Sequence, residues 1–549
     1  MPPITVTIRS NGEVMDPAYQ ATALDIRREV GKIPQAELRL FDGDAAEGEF
    51  PISDTSFFEP GAEIEILLRY EGELADTTVF KGVVVRHGIE MSGDDTYLIV
   101  GMKDAAVALT GARSSAVYRN KSDDEIIKDL IAKAGLVAGK IPATKPKHKE
   151  MVQYDCTPWD FILSRADALG LLVVAEDGKL SLAEMAPAGS ASKDLTFKFG
   201  ANELYDLDIE ADATYQPAEV ASFGWDPKAL KPTALSKAKS TSPKQGNLDG
   251  GKLAKKLSLG NATLGHGVPL QPDELESWAS GRMARSRMAL LRGRIAVRGI
   301  GAIKLLDPME LSGVGKRFTG TTMVTGLRHI LDSQGWRTDI QFGLSPEEYS
   351  RKPDILAPPA AGLLPAARGL QIGVVADFLE DKDENLRVQV KLPGIDSDMK
   401  EAVWARLAAP DAGKGRGFYF RPEKDDEVLV GFLNEDPRYP VILGALFGSK
   451  NTPPETVAKP TAKNEKRGIV TKKGTSIGFI DGDKVSVYIE TPAKNKLLID
   501  DGEKQICLTD QHGNSITMSK DGITLKSAGK FVIDSAKEVE IKGSKVDIK

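Results

Sequence analysis

Apolar residues recur in i, i+2 pairs through the last quarter of the chain, with no longer apolar run beside them to cover them. The pairs are Ile506/Leu508, Ile516/Met518, Ile523/Leu525, Phe531/Ile533, Val539/Ile541 and Val546/Ile548, with start-to-start steps of 10, 7, 8, 8 and 7 residues. Ile477/Phe479 and Val487/Ile489 begin the same series upstream. Asp, Lys, Ser and Gly fill the intervals. Alternation at period two places each pair on one face of a strand, and each polar interval supplies a tight turn.

Such a chain has a burial problem. Each short strand offers only two or three inward side chains, and a single-chain β-helix normally needs a longer coil to enclose its own interior. Three copies wound around a common axis would fill a central column with the paired residues and leave few open strand edges. An ordinary single-chain meander is the alternative. A carbohydrate-active β-helix fits less well, because the segment is short and lacks an obvious acidic cluster.

The rest of the chain sets the context. At 549 residues it holds several domains. Its 53 glycines and many short β-branched runs predict a mainly β protein. The net charge of −7 argues against wrapping nucleic acid, which needs a basic face. Cys156 and Cys507, two isolated thiols far apart in sequence, do not make a disulfide framework and lack metal-site spacing. The start, Met-Pro-Pro-Ile-Thr-Val-Thr-Ile-Arg, shows no basic region followed by an apolar stretch, so cytoplasmic assembly without a signal peptide is expected. No run reaches the roughly 18 apolar residues of a membrane span.

Alternation over 1–110, as at Ile4/Val6/Ile8 and Ile64/Ile66/Leu68, predicts a first antiparallel barrel or sandwich. Residues 111–190 read as a small α/β unit. Ser122 and Glu125 form a capping box before a helix, and Thr157-Pro158 begins a second helix that stops at Gly170. Strands 171–175 and 179–182 follow, joined at Asp177-Gly178. Residues 191–350 return to β, with an exposed loop at 228–251 and a helix over 273–293. The arginines 282, 285, 287, 292 and 294 there mark a solvated helix face or an acidic partner surface. Proline-rich linkers occupy 351–368 and 450–473. Between them, 369–449 holds five short strands, the pattern of an OB barrel. The needle is expected over 474–549.

The barrel region carries a specific likeness. Arg387-Val-Gln-Val-Lys-Leu-Pro393, Val403-Trp404-Ala405-Arg406, Ala412 to Phe418, Glu427 to Phe432 and Asp436 to Gly444 come in the order and spacing of the VgrG family. That family forms the spike of type VI secretion systems and related contractile injection machines. Trp159-Asp160-Phe161 resembles a signature of the family's hub, and Asp510-Gln-His-Gly513-Asn514-Ser-Ile516 resembles the opening of its β-helix. The OB motif residues are Val388, Pro393, Trp404, Gly415, Gly417, Phe418, Gly431, Pro437 and Gly444.

The resemblance implies two hub β-barrels with a small α/β insert, an OB-fold neck and a trimeric triple-stranded β-helix. It implies a homotrimer that meets an inner tube and baseplate components, carries a PAAR-type tip protein at its C-terminal end, bears effectors and pierces a target membrane. Some relatives carry a lysozyme domain after the OB fold or a toxin domain after the needle; the interval here has no room for the first, and the chain stops at Lys549. A phage-like tail hub shares the architecture, and a glycan-acting hydrolase is the remaining reading. No catalytic, cofactor or metal site is expected. The five histidines, 87, 148, 266, 329 and 512, have no ligand spacing. Asp425-Asp426-Glu427 reads as a solvated turn, and Gly413-Lys-Gly-Arg-Gly417 reads as an OB loop without Walker spacing.

Overall fold

The computed structural model describes residues 3–548 except 45–47, 94, 187–188, 201–203, 227–228, 230, 240–244, 267, 350–358, 384, 397 and 455–462. Parts of both predicted linkers and of the 228–251 loop therefore lie outside the described residues. The chain forms two compact units, 1–445 and 446–549.

The first unit is organised by one large sheet. Strands β1 (Ile4–Ser10), β2 (Glu13–Val14), β3 (Ala21–Glu29), β4 (Gln35–Phe41), β5 (Glu63–Tyr70), β6 (Thr77–Ser92) and β7 (Asp95–Lys103) come from the first 110 residues. Their alternating residues Leu24, Ile26, Leu38, Leu40, Ile64, Ile66, Leu98 and Val100 fill one core. The second β region contributes Leu204–Ala211, Leu291–Arg298, Gly320–Asp332 and Gly335–Phe342, with their own core around Ile295, Val324, Ile340 and Phe342. The strands of the two β regions also pair with one another. β3 pairs antiparallel with Gly320–Asp332, from Gly326↔Glu29 to Leu331↔Leu24, and a 13-stranded sheet results. Main-chain ladder bonds close what would otherwise be two open edges.

The helices are set by local signals. Helix α1 (Asp123–Lys133) begins in the Ser122/Glu125 capping box. Helix α2 (Pro158–Leu169) has Pro158 in its first turn and the Thr157 hydroxyl accepting from Asp160 N at 3.1 Å. It ends where Gly170 turns left-handed at φ 71. The long helix Pro272–Met288 stops before Leu291, where a strand begins, so Arg292 and Arg294 stand on that strand. The expected solvated arginine face is not what forms. Arg285 pairs with Asp167 at 2.5 Å, Arg282 with Glu348 at 3.5 Å, and Arg287 is buried against Gln216 and the Pro217 carbonyl. The helix is enclosed because it packs on α2 and on Val220–Phe223.

Residues 371–445 close a five-stranded barrel in the order Gln371–Val375, Val388–Lys391, Val403–Leu407, Pro440–Ala445, Glu427–Phe432. Val403–Leu407 pairs parallel with Pro440–Ala445, and the other pairs are antiparallel. This is OB topology. Its core of Val375, Val388, Val390, Val428, Val430 and Ile442 also takes in Val152, from the strand His148–Cys156.

The second unit is a meander of seven antiparallel strands: Lys466–Val470, Ser476–Asp481, Val485–Glu490, Lys496–Asp500, Gln505–Thr509, Ser515–Ser519 and Gly522–Lys526. Residues 527–548 contain no strand within the chain.

Candidate functional site

The turns along one edge of the meander repeat a single design. Thr471–Thr475, Thr491–Asn495 and Asp510–Asn514 each connect two strands. In each, the first side chain accepts from the backbone N–H four residues on, at 3.2, 3.3 and 2.9 Å. The fourth residue is left-handed in each: Gly474 at φ 91, Lys494 at φ 69 and Gly513 at φ 89. Successive turns are also stitched together. Asn495 Oδ1 accepts from Gln511 N at 3.1 Å, and Asn514 Oδ1 accepts from Ala528 N at 2.8 Å.

These turns fix the register, and the register aligns the apolar pairs. Ile469, Ile477, Ile489, Leu497, Leu508, Ile516 and Leu525 stand directly opposite one another from strand to strand. Phe479, Val487, Ile499, Ile506, Met518 and Ile523 do the same beside them. The result is an apolar ladder two side chains wide. On the opposite face only Ser476, Gly478 and Ser486 are buried among the described residues, with the Tyr488 ring lying against Gly478. None of the described residues covers the ladder: exposure runs from 36% at Val487 to 69% at Ile523. Phe531, Ile533, Val539, Ile541, Val546 and Ile548 are exposed as well, on a stretch without in-chain strand pairing. An apolar surface of this extent on a monomer marks a contact surface.

Ile469, Leu497 and Ile499 belong to the ladder and are absent from the sequence-derived series. The signal for Leu497 and Ile499 is the ten-residue step: Ile477, Val487 and Leu497 are evenly spaced, and Ile506 follows nine residues later; Ile469, eight residues before Ile477, falls outside that step.

The OB motif residues occupy different places in the barrel. Val388 is in the core. Arg387 lies over the Trp404 ring at 5.5 Å. Gly415 makes the left-handed turn of the hairpin Ala412–Gly413/Arg416–Gly417, and Gly417 follows at φ 132. Phe418 is open to solvent, Pro393 and Gly444 are exposed, and Gly431 is buried beneath Leu370 and Leu443. Pro437 lies between two buried ions, Asp436 and Arg438.

Those two ions end a network that sequence spacing does not reveal. His148 Nε2 meets Asp123 at 2.8 Å, and Asp123 takes the Arg165 guanidinium at 2.7 and 3.1 Å. Arg165 reaches Glu274 at 3.5 Å, and Glu274 accepts from Arg438 at 2.9 Å. Arg438 holds Asp436 through Nε and Nη2, and Asp436 meets His266 Nε2 at 3.0 Å. All seven side chains are buried. Burial pushes the Asp123 carboxyl up, but Arg165 and His148 outweigh it and hold it well below the ordinary range. Arg438 and His266 do the same for Asp436, and Arg438 and Arg165 for Glu274. Three carboxylates against two guanidiniums form a register device between α1, α2, the long helix and the barrel loop, not an acid–base pair at a cavity.

Among the described residues, no group of three or more His, Cys, Asp or Glu side chains is placed to hold a metal ion. No helix among them is long and apolar enough to cross a membrane.

Comparison with known proteins assigns all three regions. The Alg8 N-terminal domain model matches residues 2–333. The type VI secretion system/phage-baseplate injector OB domain matches 371–447, and the phage baseplate V C-terminal trimerisation domain matches 486–549. The actin cross-linking toxin VgrG1 of Vibrio cholerae is 27% identical over 173 residues, 30% of this chain and 15% of that protein. The spike protein VgrG1b of Pseudomonas aeruginosa is 28% identical over 122 residues, 21% of this chain and 16% of that protein. The chain thus matches only about a sixth of the length of these curated relatives. A chain of the lidded Francisella PdpA–VgrG complex has a TM-score of 0.55 at 12% identity, over 95% of this chain and 80% of that one, and shares the fold.

Proposed function

This chain belongs to the family of the Alg8 N-terminal domain and carries VgrG-type spike domains after it, and from that premise we propose that three copies assemble as the central spike of a contractile injection machine. The carrying observation is the uncovered apolar ladder, Ile469 to Leu525 and Phe479 to Ile523, whose part from Val487 onward lies in the match to a trimerisation domain at 486–549. Burying apolar surface is worth roughly 25 cal/mol per Å², so a ladder this long favours association strongly. Three ladders facing one axis give the core that one chain lacks.

The role is assembly. The first unit docks on an inner tube and baseplate components, and the trimeric tail carries a tip protein and effectors to a target membrane. The deeply buried carboxylates Asp123, Glu274 and Asp436 are committed to arginines, which supports a structural part for them. Light scattering on the purified full chain tests this reading. A mass three times the 59.1 kDa of one chain is expected. A folded monomer whose tail resists protease would sink it.

A further inference from the structure

The OB barrel carries two apolar features that the proposed function leaves unused. The first is an arm. Between Val403–Leu407 and Glu427–Phe432 the chain leaves the barrel, and residues 412–421 are all exposed. The arm is nonetheless built. Arg416 bonds both carboxylate oxygens of Asp411 at 2.6 and 2.7 Å, pinning the hairpin base. Gly417 passes so close that a Cβ there would lie 2.4 Å from the Asp411 carbonyl oxygen. The chain then presents Phe418, Tyr419 and Phe420, exposed by 54%, 67% and 60%. Behind them Arg421 lies over the Phe378 ring at 4.4 Å, and Lys424 pairs with Asp377 at 2.5 Å. Three adjacent rings leave on the order of 300 Å² of apolar surface open.

The second feature is a face. Ile372 and Leu429 are direct partners pointing away from the core. Beside them Leu370 and Leu443 lie over Gly431, where a Cβ would meet their side chains at 3.2 and 3.5 Å. Leu370, Ile372 and Leu443 are all exposed.

We propose that the Phe418–Phe420 arm of one protomer docks on the Leu370–Ile372–Leu443 face of the next protomer's barrel, so that three barrels close head to tail. The proposal rests on the trimer reading above. The occupant is a second copy because arm and face lie on the same barrel, so each chain supplies both halves of the contact. Two different surfaces in contact form a ring only if a rotation closes them, and the trimerisation domain matched at 486–549 sets that closure at three. Rings exposed by more than half on their own barrel bury aromatic surface by docking, and such surface dominates interface energetics.

Full-length chains carrying Phe420→Cys, Ile372→Cys or both, oxidised gently and run on non-reducing gels, test the contact. The double variant should give covalent dimers and trimers, and wild type and each single variant should not. A chain with Phe418→Ser, Tyr419→Ser and Phe420→Ser should need at least tenfold higher concentration to remain trimeric in light scattering; this decides the matter if the cysteine variant fails to fold. A wild-type chain that is monomeric overturns the trimer reading itself, whatever the arm does. A wild-type trimer that gives no covalent product from the folded double variant, or no shift with the serine variant, overturns the arm alone.

Discussion

Arg438 donates to Glu274 across 2.9 Å with both side chains buried, and so ties the barrel loop Leu433–Tyr439 to the long helix Pro272–Met288. The pair is 164 residues apart in sequence. It is reinforced by Tyr439, whose hydroxyl donates to the Pro269 carbonyl. Removing one partner of a buried pair strands the other charge in a poor dielectric, which costs about 3–5 kcal/mol. Arg438→Met should therefore lower urea stability at pH 7 by that amount. A loss below about 1 kcal/mol would show that the pair does not hold the barrel to the hub.

The pH profile should have two limbs of opposite sign. Asp123, Glu274 and Asp436 have folded values below their unfolded ones. Their contribution is present above pH about 4 and is lost as pH falls through the depressed folded values. Glu150 behaves in reverse. Burial pushes its carboxyl up to about 7, against the opposing pull of Arg119. Its Oε2 has no hydrogen-bond partner among the described residues, and Arg119 Nε is 3.7 Å away. That term favours folding most below the unfolded value of 4.5 and is lost as pH rises through about 7. Glu150→Gln should flatten the upper limb and stabilise the protein at pH 8 by roughly 1–3 kcal/mol. Denaturant titrations at pH about 3, 5 and 8 read both limbs, the acid limb between the first two and the Glu150 limb between the last two; a Glu150→Gln chain that loses as much stability between pH 5 and pH 8 as wild type would contradict this account.

Gly281 meets Gly170 backbone to backbone. A Cβ on Gly281 would sit 2.7 Å from Gly170 Cα and 3.1 Å from the Asp167 carbonyl oxygen. Gly281→Val must push the long helix off the end of α2, and overpacking of this kind costs about 1–3 kcal/mol. A thermal melt should show a clear loss; a melt like wild type would mean that the two helices separate freely.

Ile523→Asp should abolish the trimer and leave the first unit folded. Ile523 stands directly opposite Met518, so three carboxylates would enter one apolar column. Light scattering with circular dichroism separates assembly from folding. A normal trimer would place Ile523 outside the column.

The helix boundaries at Ser122, Pro158 and Gly170, the five barrel strands and the two-residue period of the tail were legible because each is a local signal. A cap, a left-handed glycine or an alternation acts within a few residues of itself. Leu497 and Ile499 carried the same period and could have been found by extending the ten-residue step. The likeness to the VgrG family was likewise written in short runs along the barrel.

Pairing between distant segments was decided by tertiary structure. Asp123, Arg165, Glu274 and Arg438 carry no spacing signal, because their juxtaposition arises only when three helices and a barrel loop close on one another. The arginines of the long helix read as solvated because burial depends on what packs beside the helix. The pairing of the two β regions in one sheet rests on β3 meeting Gly320–Asp332, some 300 residues along the chain. Sequence by itself determined which residues are strand, turn and cap, since those follow from backbone sterics and short-range bonds. Only the tertiary structure decided which apolar surfaces are covered within the chain and which, like the ladder from Ile469 to Leu525, are left for another copy.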